Sequence, residues 1–263
     1  MNEDGAGRVV AFIPARMGAS RFPGKPLEPI LGLPLVEHVR RRSALAETVD
    51  EVIVATCDTE IQGVVEGHGG RVIMTASTHE RCTDRIAEAA LGVECEIALI
   101  VQGDEPLFEP RLLDSIVAAL RNDDELVCAN LLSVIESDEE RRHQDNVKAV
   151  LDERGRLLYL SRAPIPFVRN DAGHRCYRQT GLSGFRRDFL FTFEQLAPTI
   201  LEEVESVDFL RILGHGFPIA GIPFEGQLIG VDRPEDVVRV EQVLQNDRQQ
   251  AAHFSAIQEL AGQ

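Results

Sequence analysis

The sequence predicts an α/β protein built on a doubly wound, mostly parallel sheet. Runs at 8–14, 51–56 and 97–102 are almost continuously apolar, as strands covered on both faces should be. Stretches with helical apolar spacing separate these runs, and the joins are short.

Taken in order, 8–14 is a first strand, and a Gly- and Pro-punctuated loop runs on to Pro26. Residues 34–42 space their apolar side chains as a helix does. A strand over 51–56, a helix over 60–67 and a short strand over 71–75 follow. The pattern then gives a helix at 83–91, a strand at 97–102 and a helix at 111–121. Near Ala129 the alternation changes. Segments 147–151 and 157–161 read as a hairpin turning at Gly155, and Pro164-Ile165-Pro166 requires an extended, irregular path. A strand at 180–185, helices at 193–196 and 203–213, and an amphipathic helix at 235–244 complete the reading. The polar tail after Gln245 is expected to fray. No linker rich in Gly, Ser or Pro divides the chain, so 1–245 reads as one domain and 246–263 as a tail.

The 263 residues suffice for a large core without disulfides. A net charge of −16 argues against nucleic acid or an anionic membrane as a partner, yet leaves room for a local basic pocket. No apolar run is long enough to span a bilayer, and the polar residues 1–7 have no signal-peptide pattern. Cys57, Cys82, Cys95, Cys128 and Cys176 lack ligand spacing and read as free thiols of a cytoplasmic protein. Among the cations only Lys25 and Lys148 are lysines, which singles them out.

Three motifs carry chemistry. The first, 14–26, sets Arg16, Arg21 and Lys25 with Ser20 beside two glycines directly after a buried strand. Loop amides and cations together are what a triphosphate needs, although the spacing is not that of a Walker A loop. The second is Gln102-Gly103-Asp104-Glu105-Pro106, an acidic pair leaving a strand, suited to a hard divalent cation. The third, 230–236, offers Asp232. Alone, Asp232 reads better as a helix start; with Asp104 it supplies a second metal carboxylate.

Together these motifs resemble the CMP-Kdo synthetases (3-deoxy-manno-octulosonate cytidylyltransferases). The likeness also runs through Ala55-Thr56, Asp84-Arg85, Asn146-Val147-Lys148, 158–163 with Ile165-Pro166, and 230–236, in collinear order over nearly the whole chain. The resemblance implies a nucleotidyltransferase domain with a β-rich insertion at 129–187 that forms a homodimer interface. It implies that CTP is bound by Pro14, Ala15, Arg16, Ser20, Arg21, Lys25, Thr56, Arg85, Gln102 and Gly103, with Gln102 selecting cytosine. Lys25, Arg16 and Asp104 would be catalytic, and Asp104 and Asp232 would hold Mg²⁺. An acceptor oxygen would attack the α-phosphorus of CTP and expel pyrophosphate.

The acceptor side departs from the family pattern. A His-x-Gly-x-Tyr-Gly-Tyr stretch is replaced by 179–185, with Gln179 and Ser183, and a Leu-Glu-Gln-Leu-Arg stretch by 207–211, with Asp208 and Phe209. Arg81-Cys82 stands where Ser-Gly is usual. Arg81, Lys148, Arg162, Gln179, Ser183, Asp208 and Phe209 are the acceptor-side candidates. Arg81, Arg175 and Arg178 suit a small, highly charged anion, so the reading leans to a phosphonate such as phosphonoformate. Kdo or a related sugar acid is the alternative, and a catalytically dead nucleotide-binding regulator is an alternative of another class.

Overall fold

The computed structural model describes residues 7–18, 21–79, 81–170, 173–226 and 228–260. The chain forms two compact units, Met1–Asp114 with Leu228–Gln263, and Ser115–Gln227. Among the described residues no helix is long and apolar enough to cross a membrane.

The first unit opens with β1 (Val9–Ala15), every residue of which is buried. A loop and a tight turn at Lys25–Leu27 lead to the two-residue strands β2 (Pro29–Ile30) and β3 (Leu33–Pro34), then to α1 (Leu35–Ser43). Next come β4 (Glu51–Thr56), α2 (Thr59–Gly67), β5 (Arg71–Met74), α3 (Cys82–Ala90) and β6 (Ile97–Val101); α4 (Arg111–Asn122) begins here and has most of its length in the second unit. All four long strands are parallel and lie in the order β6-β1-β4-β5. Residue Val10 pairs with Glu51 on one side and Ala98 on the other. The chain therefore winds outward from β1 to β5 and returns to the far side of β1. Strand order reverses between β1 and β6, and loops leaving the carboxyl ends of such a pair diverge to open a crevice.

The second unit holds β7 (Cys128–Val134), α5 (Asp138–Arg142), β8 (Lys148–Leu151), β9 (Leu157–Ser161) and β10 (Tyr177–Arg186). It continues with α6 (Arg187–Gln195), α7 (Ile200–Glu205), α8 (Phe209–Gly214) and β11 (Ile219–Phe224). Here β7 pairs in parallel with β11 and antiparallel with β10, and β10 with β8. The hairpin β8–β9 forms as the sequence predicts. Its turn is set by the Asp152 side chain, which accepts from the amides of Arg154 and Arg156 at 2.8 Å each, and by Gly155 at φ 77°. Both β7 and β11 escape the sequence reading.

Three local expectations are corrected. The predicted helix over 203–213 is two helices, broken where Ser206 turns left-handed at φ 53°. Buried Glu202 on α7 takes both Nε and Nη2 of Arg211 on α8, at 2.7 and 2.6 Å, which holds the bend. The helix expected at 193–196 is only the end of α6. The tail expected to fray instead forms α10 (Arg248–Glu259), after α9 (Pro234–Asn246) in the first unit. Asp247 caps α10 through the Gln250 amide, Ile257 is fully buried, and Phe254 stacks on His38 at 5.4 Å. A single apolar stripe docks this helix although most of its residues are polar.

Candidate active site

The motif after β1 and the motif after β6 meet at the strand-order reversal of the first unit. Gly103 lets them approach: a Cβ there would lie 3.0 Å from the carbonyl oxygen of Pro14. The loop after β1 is anchored where the Met17 amide donates to Asp58 Oδ2 at 2.8 Å and the Gly24 amide to Met17 O at 3.0 Å. Gly24, at φ 78°, starts the turn whose first residue is Lys25, and buried Pro26 seats that turn.

Lys25 is thereby aimed inward. Its Nζ lies 2.7 Å from Asp104 Oδ2 and 3.9 Å from Asp232 Oδ1, and Arg21 reaches Asp232 Oδ1 at 3.3 Å. The two carboxylates come from distant chain segments but are registered by the backbone, since the Val231 amide donates to Asp104 O at 2.8 Å. The competing reading of Asp232 as a helix start is resolved by its neighbour. The Asp236 carboxylate accepts from the Asp232 and Arg233 amides at 2.9 and 2.8 Å, leaving the Asp232 side chain turned to Arg21 and Lys25.

A cavity of about 240 Å³ is lined by Pro14, Ala15, Arg16, Arg21, Phe22, Lys25, Pro26, Cys82, Gln102, Gly103, Asp104 and Asp232. Phe22, Pro26 and Cys82 are additions to the residues picked from sequence. Cys82, at the start of α3, donates its thiol to Gln102 Oε1 at 3.5 Å. Its only sequence signal is that it stands where the family has glycine. Two carboxylates facing one cation, with no third acidic, His or Cys ligand among the described residues, fit a hard metal that takes its other ligands from phosphate and water.

Other picked residues lie elsewhere. Ser20 falls outside the described residues. Thr56 is buried, with its hydroxyl accepting from the Asp58 amide at 3.1 Å. Arg85 is buried and donates to Thr75 Oγ1 at 2.5 Å. Neither lines the cavity; both hold loops beside it. Arg81, at the residue before α3, is also absent from the lining.

The acceptor-side candidates lie in the second unit as follows. Lys148 is fully buried and its ammonium is taken up by three carbonyls, of His143 at 3.0 Å, Asn146 at 2.6 Å, and Arg162. A group so committed pins the hairpin. Arg162 spends its guanidinium on the carbonyls of Glu205 at 2.8 Å, Gln144 at 3.0 Å and Ser206 at 3.4 Å. Phe209 is core, packed edge-on against Phe185 at 5.7 Å. Ser183 is buried in β10, opposite Asn130, whereas Gln179 and Asp208 are half-buried. The arginines read as anion ligands are also engaged: Arg175 pairs with Glu225, and Arg178 donates to Ser133 Oγ at 2.7 Å and Asn146 Oδ1 at 3.3 Å.

A cationic loop and paired carboxylates at the strand-order reversal of a parallel sheet suit metal-assisted transfer at a nucleotide phosphate, the chemistry of a nucleotidyltransferase. The cytidylyltransferase family profile matches residues 10–219. The 3-deoxy-manno-octulosonate cytidylyltransferase of Geobacter metallireducens is 43% identical over 244 residues, 89% of this chain and 96% of that one. Its counterpart in Syntrophotalea carbinolica is 41% identical over 242 residues, 89% and 97% of the two chains. A solved structure of CMP:2-keto-3-deoxy-manno-octonic acid synthetase complexed with CTP is 37% identical, with a TM-score of 0.87 over 91% of this chain and 99% of its own. The chain belongs to the CMP-Kdo synthetase family of cytidylyltransferases.

Proposed function

We propose that this enzyme transfers CMP from CTP to the sugar acid Kdo and releases pyrophosphate. The observation that carries the reading is the convergence of Lys25, Asp104 and Asp232 on one cavity at the strand-order reversal. Relatives about 40% identical bear the Kdo cytidylyltransferase name, and the 37% identical structure is complexed with CTP.

In this reading an oxygen of the acceptor attacks the α-phosphorus in line as the bond to pyrophosphate breaks. Arg16, Arg21 and Lys25 neutralise the triphosphate, and Gln102 meets the base. Asp104 and Asp232 hold Mg²⁺, which when bound draws charge from the phosphate oxygens. The chain's own contribution is then positioning and preorganised charge rather than covalent chemistry.

The acceptor reading moves from the small phosphonate, to which the sequence leans, to the sugar acid. Two premises of that lean lose support: Phe209 is a core residue, and Arg175 and Arg178 already have partners. Arg81, Gln179 and Asp208 stay as candidate acceptor contacts. The homodimer rests on the family resemblance; Phe167, Ile200 and Val204 in the second unit are exposed apolar side chains that such an interface could cover. Free thiols throughout suit the cytoplasm.

The test is pyrophosphate release with CTP and Mg²⁺ against Kdo, its amino analogue, a nonulosonate, phosphonoformate and phosphonoacetate. Turnover with Kdo is expected. Turnover with a phosphonate alone overturns the acceptor assignment, and no release with any acceptor overturns the enzymatic reading.

A further inference from the structure

We propose that Gln250, in the first turn of α10, is a positioning residue that holds the Asp104 loop through two successive backbone carbonyls, in concert with Arg42. The inference rests on the reading of Asp104 as a carboxylate of the transfer site.

Gln250 Nε2 donates to Leu107 O at 3.0 Å, and Arg42 Nη1 donates to Phe108 O at 3.2 Å. The same Arg42 nitrogen donates to Gln250 Oε1 at 2.6 Å, closing the arrangement. Leu107 and Phe108 stand three and four residues beyond Asp104, with Pro106 between. The fixed φ of that proline leaves few rotations to absorb a displacement. At the residue itself, Asp104 O is held by the Val231 amide at 2.8 Å, and upstream Gln102 O accepts from the Glu105 amide at 3.4 Å. The loop is thus tied before, at and beyond the carboxylate, and α10 supplies the downstream tie.

The choice of glutamine follows from Arg42. Its guanidinium is fully buried, and among the described residues no carboxylate pairs with it and its Nε and Nη2 have no hydrogen-bond partner. Such a group needs every acceptor within reach. A primary amide can accept from Arg42 and donate to Leu107 O at once. A carboxylate can only accept, and an ammonium can only donate. Gln250 is itself placed by its helix, which is pinned further along where Arg41 Nη1 donates to Ile257 O at 3.2 Å and Phe254 stacks on His38.

Two variants of the full chain separate positioning from support. Gln250→Glu keeps an acceptor for Arg42, and the first turn of a helix tolerates an acid, but the donor to Leu107 O is lost. Gln250→Ala loses both. In the ligand-free protein, amide hydrogen exchange over 104–109 is expected to quicken about tenfold in both variants, with β1 unchanged. In pyrophosphate release from CTP and Kdo, the Mg²⁺ concentration for half-saturation is expected to rise about fivefold in Gln250→Glu while its melting temperature holds. A purely supporting role predicts that Gln250→Glu matches wild type in exchange and in metal dependence, and that result overturns the proposal. If wild type releases no pyrophosphate, the functional reading fails, and the exchange measurement still decides whether the tie exists.

Discussion

The two lysines of this chain have opposite fates. Lys25, in the first unit, has a side chain 13% exposed and faces two carboxylates across a cavity. Lys148, in the second, is fully buried and gives its ammonium to backbone carbonyls. One ammonium borders a cavity and the other is taken up by the fold. The same division runs through the arginines. Arg16 and Arg21 line the cavity, whereas Arg162, Arg178 and Arg211 are spent on carbonyls, hydroxyls and a buried glutamate. Charge count along a chain therefore does not locate an anion site. What locates it is whether the fold leaves the charge partners that a ligand can replace.

The sharpest test of the contrast is to remove each cation. Lys25→Ala and Asp104→Ala should each lower kcat/KM by about 10³, in line with losing one preorganised electrostatic group, at unchanged melting temperature. Steady-state pyrophosphate release beside thermal unfolding checks this; near-wild-type turnover in either variant would break the site assignment. Lys148→Met should do the reverse. Orphaned carbonyls cost about 1–3 kcal/mol each, so urea unfolding should show a loss of several kcal/mol, while the folded fraction keeps its KM for CTP. A normal unfolding midpoint with a raised acceptor KM would return Lys148 to the acceptor site.

A smaller effect tests the frame around α10. Burial lowers the pKa of His38 from 6.5 to about 4, against the hydrogen bond from its ring to Ile30 O at 2.8 Å. Its folded pKa lies below the unfolded value, so its contribution is complete above pH 6.5 and is lost as pH falls through 4. Stability from urea titrations should decline by about 2–3 kcal/mol across that window, and His38→Gln should flatten the decline. An equal acid slope in the variant would remove His38 from the account. The mildest change is Phe209→Leu, which should cost about 1 kcal/mol of stability and leave the acceptor KM alone. A shift in KM without a stability change would make Phe209 a pocket residue after all.

The parallel strands were readable because both faces of each are covered, which leaves uninterrupted apolar runs, and their order of appearance with helices between them implies the winding. Strand β11 was harder, because Gly221 and Pro223 interrupt it and its pairing with β7 is non-local. Helix α10 was unreadable for a related reason: what holds it is His38, Arg41, Arg42 and Leu107 O, none of them near it in sequence.

By itself the sequence determined the sheet class, the cationic loop after β1, the acidic turn after β6, and the family, because each is written in contiguous residues whose type follows from local chemistry. Only the tertiary structure decided that Asp232 joins Asp104 at Lys25, that Thr56 and Arg85 stand behind the cavity, and that Lys148, Arg162 and Phe209 serve the frame. The physical reason is the same in each case. A charged or aromatic side chain takes its role from what lies within a few ångströms of it, and those neighbours are set by strand order and loop path, not by position along the chain.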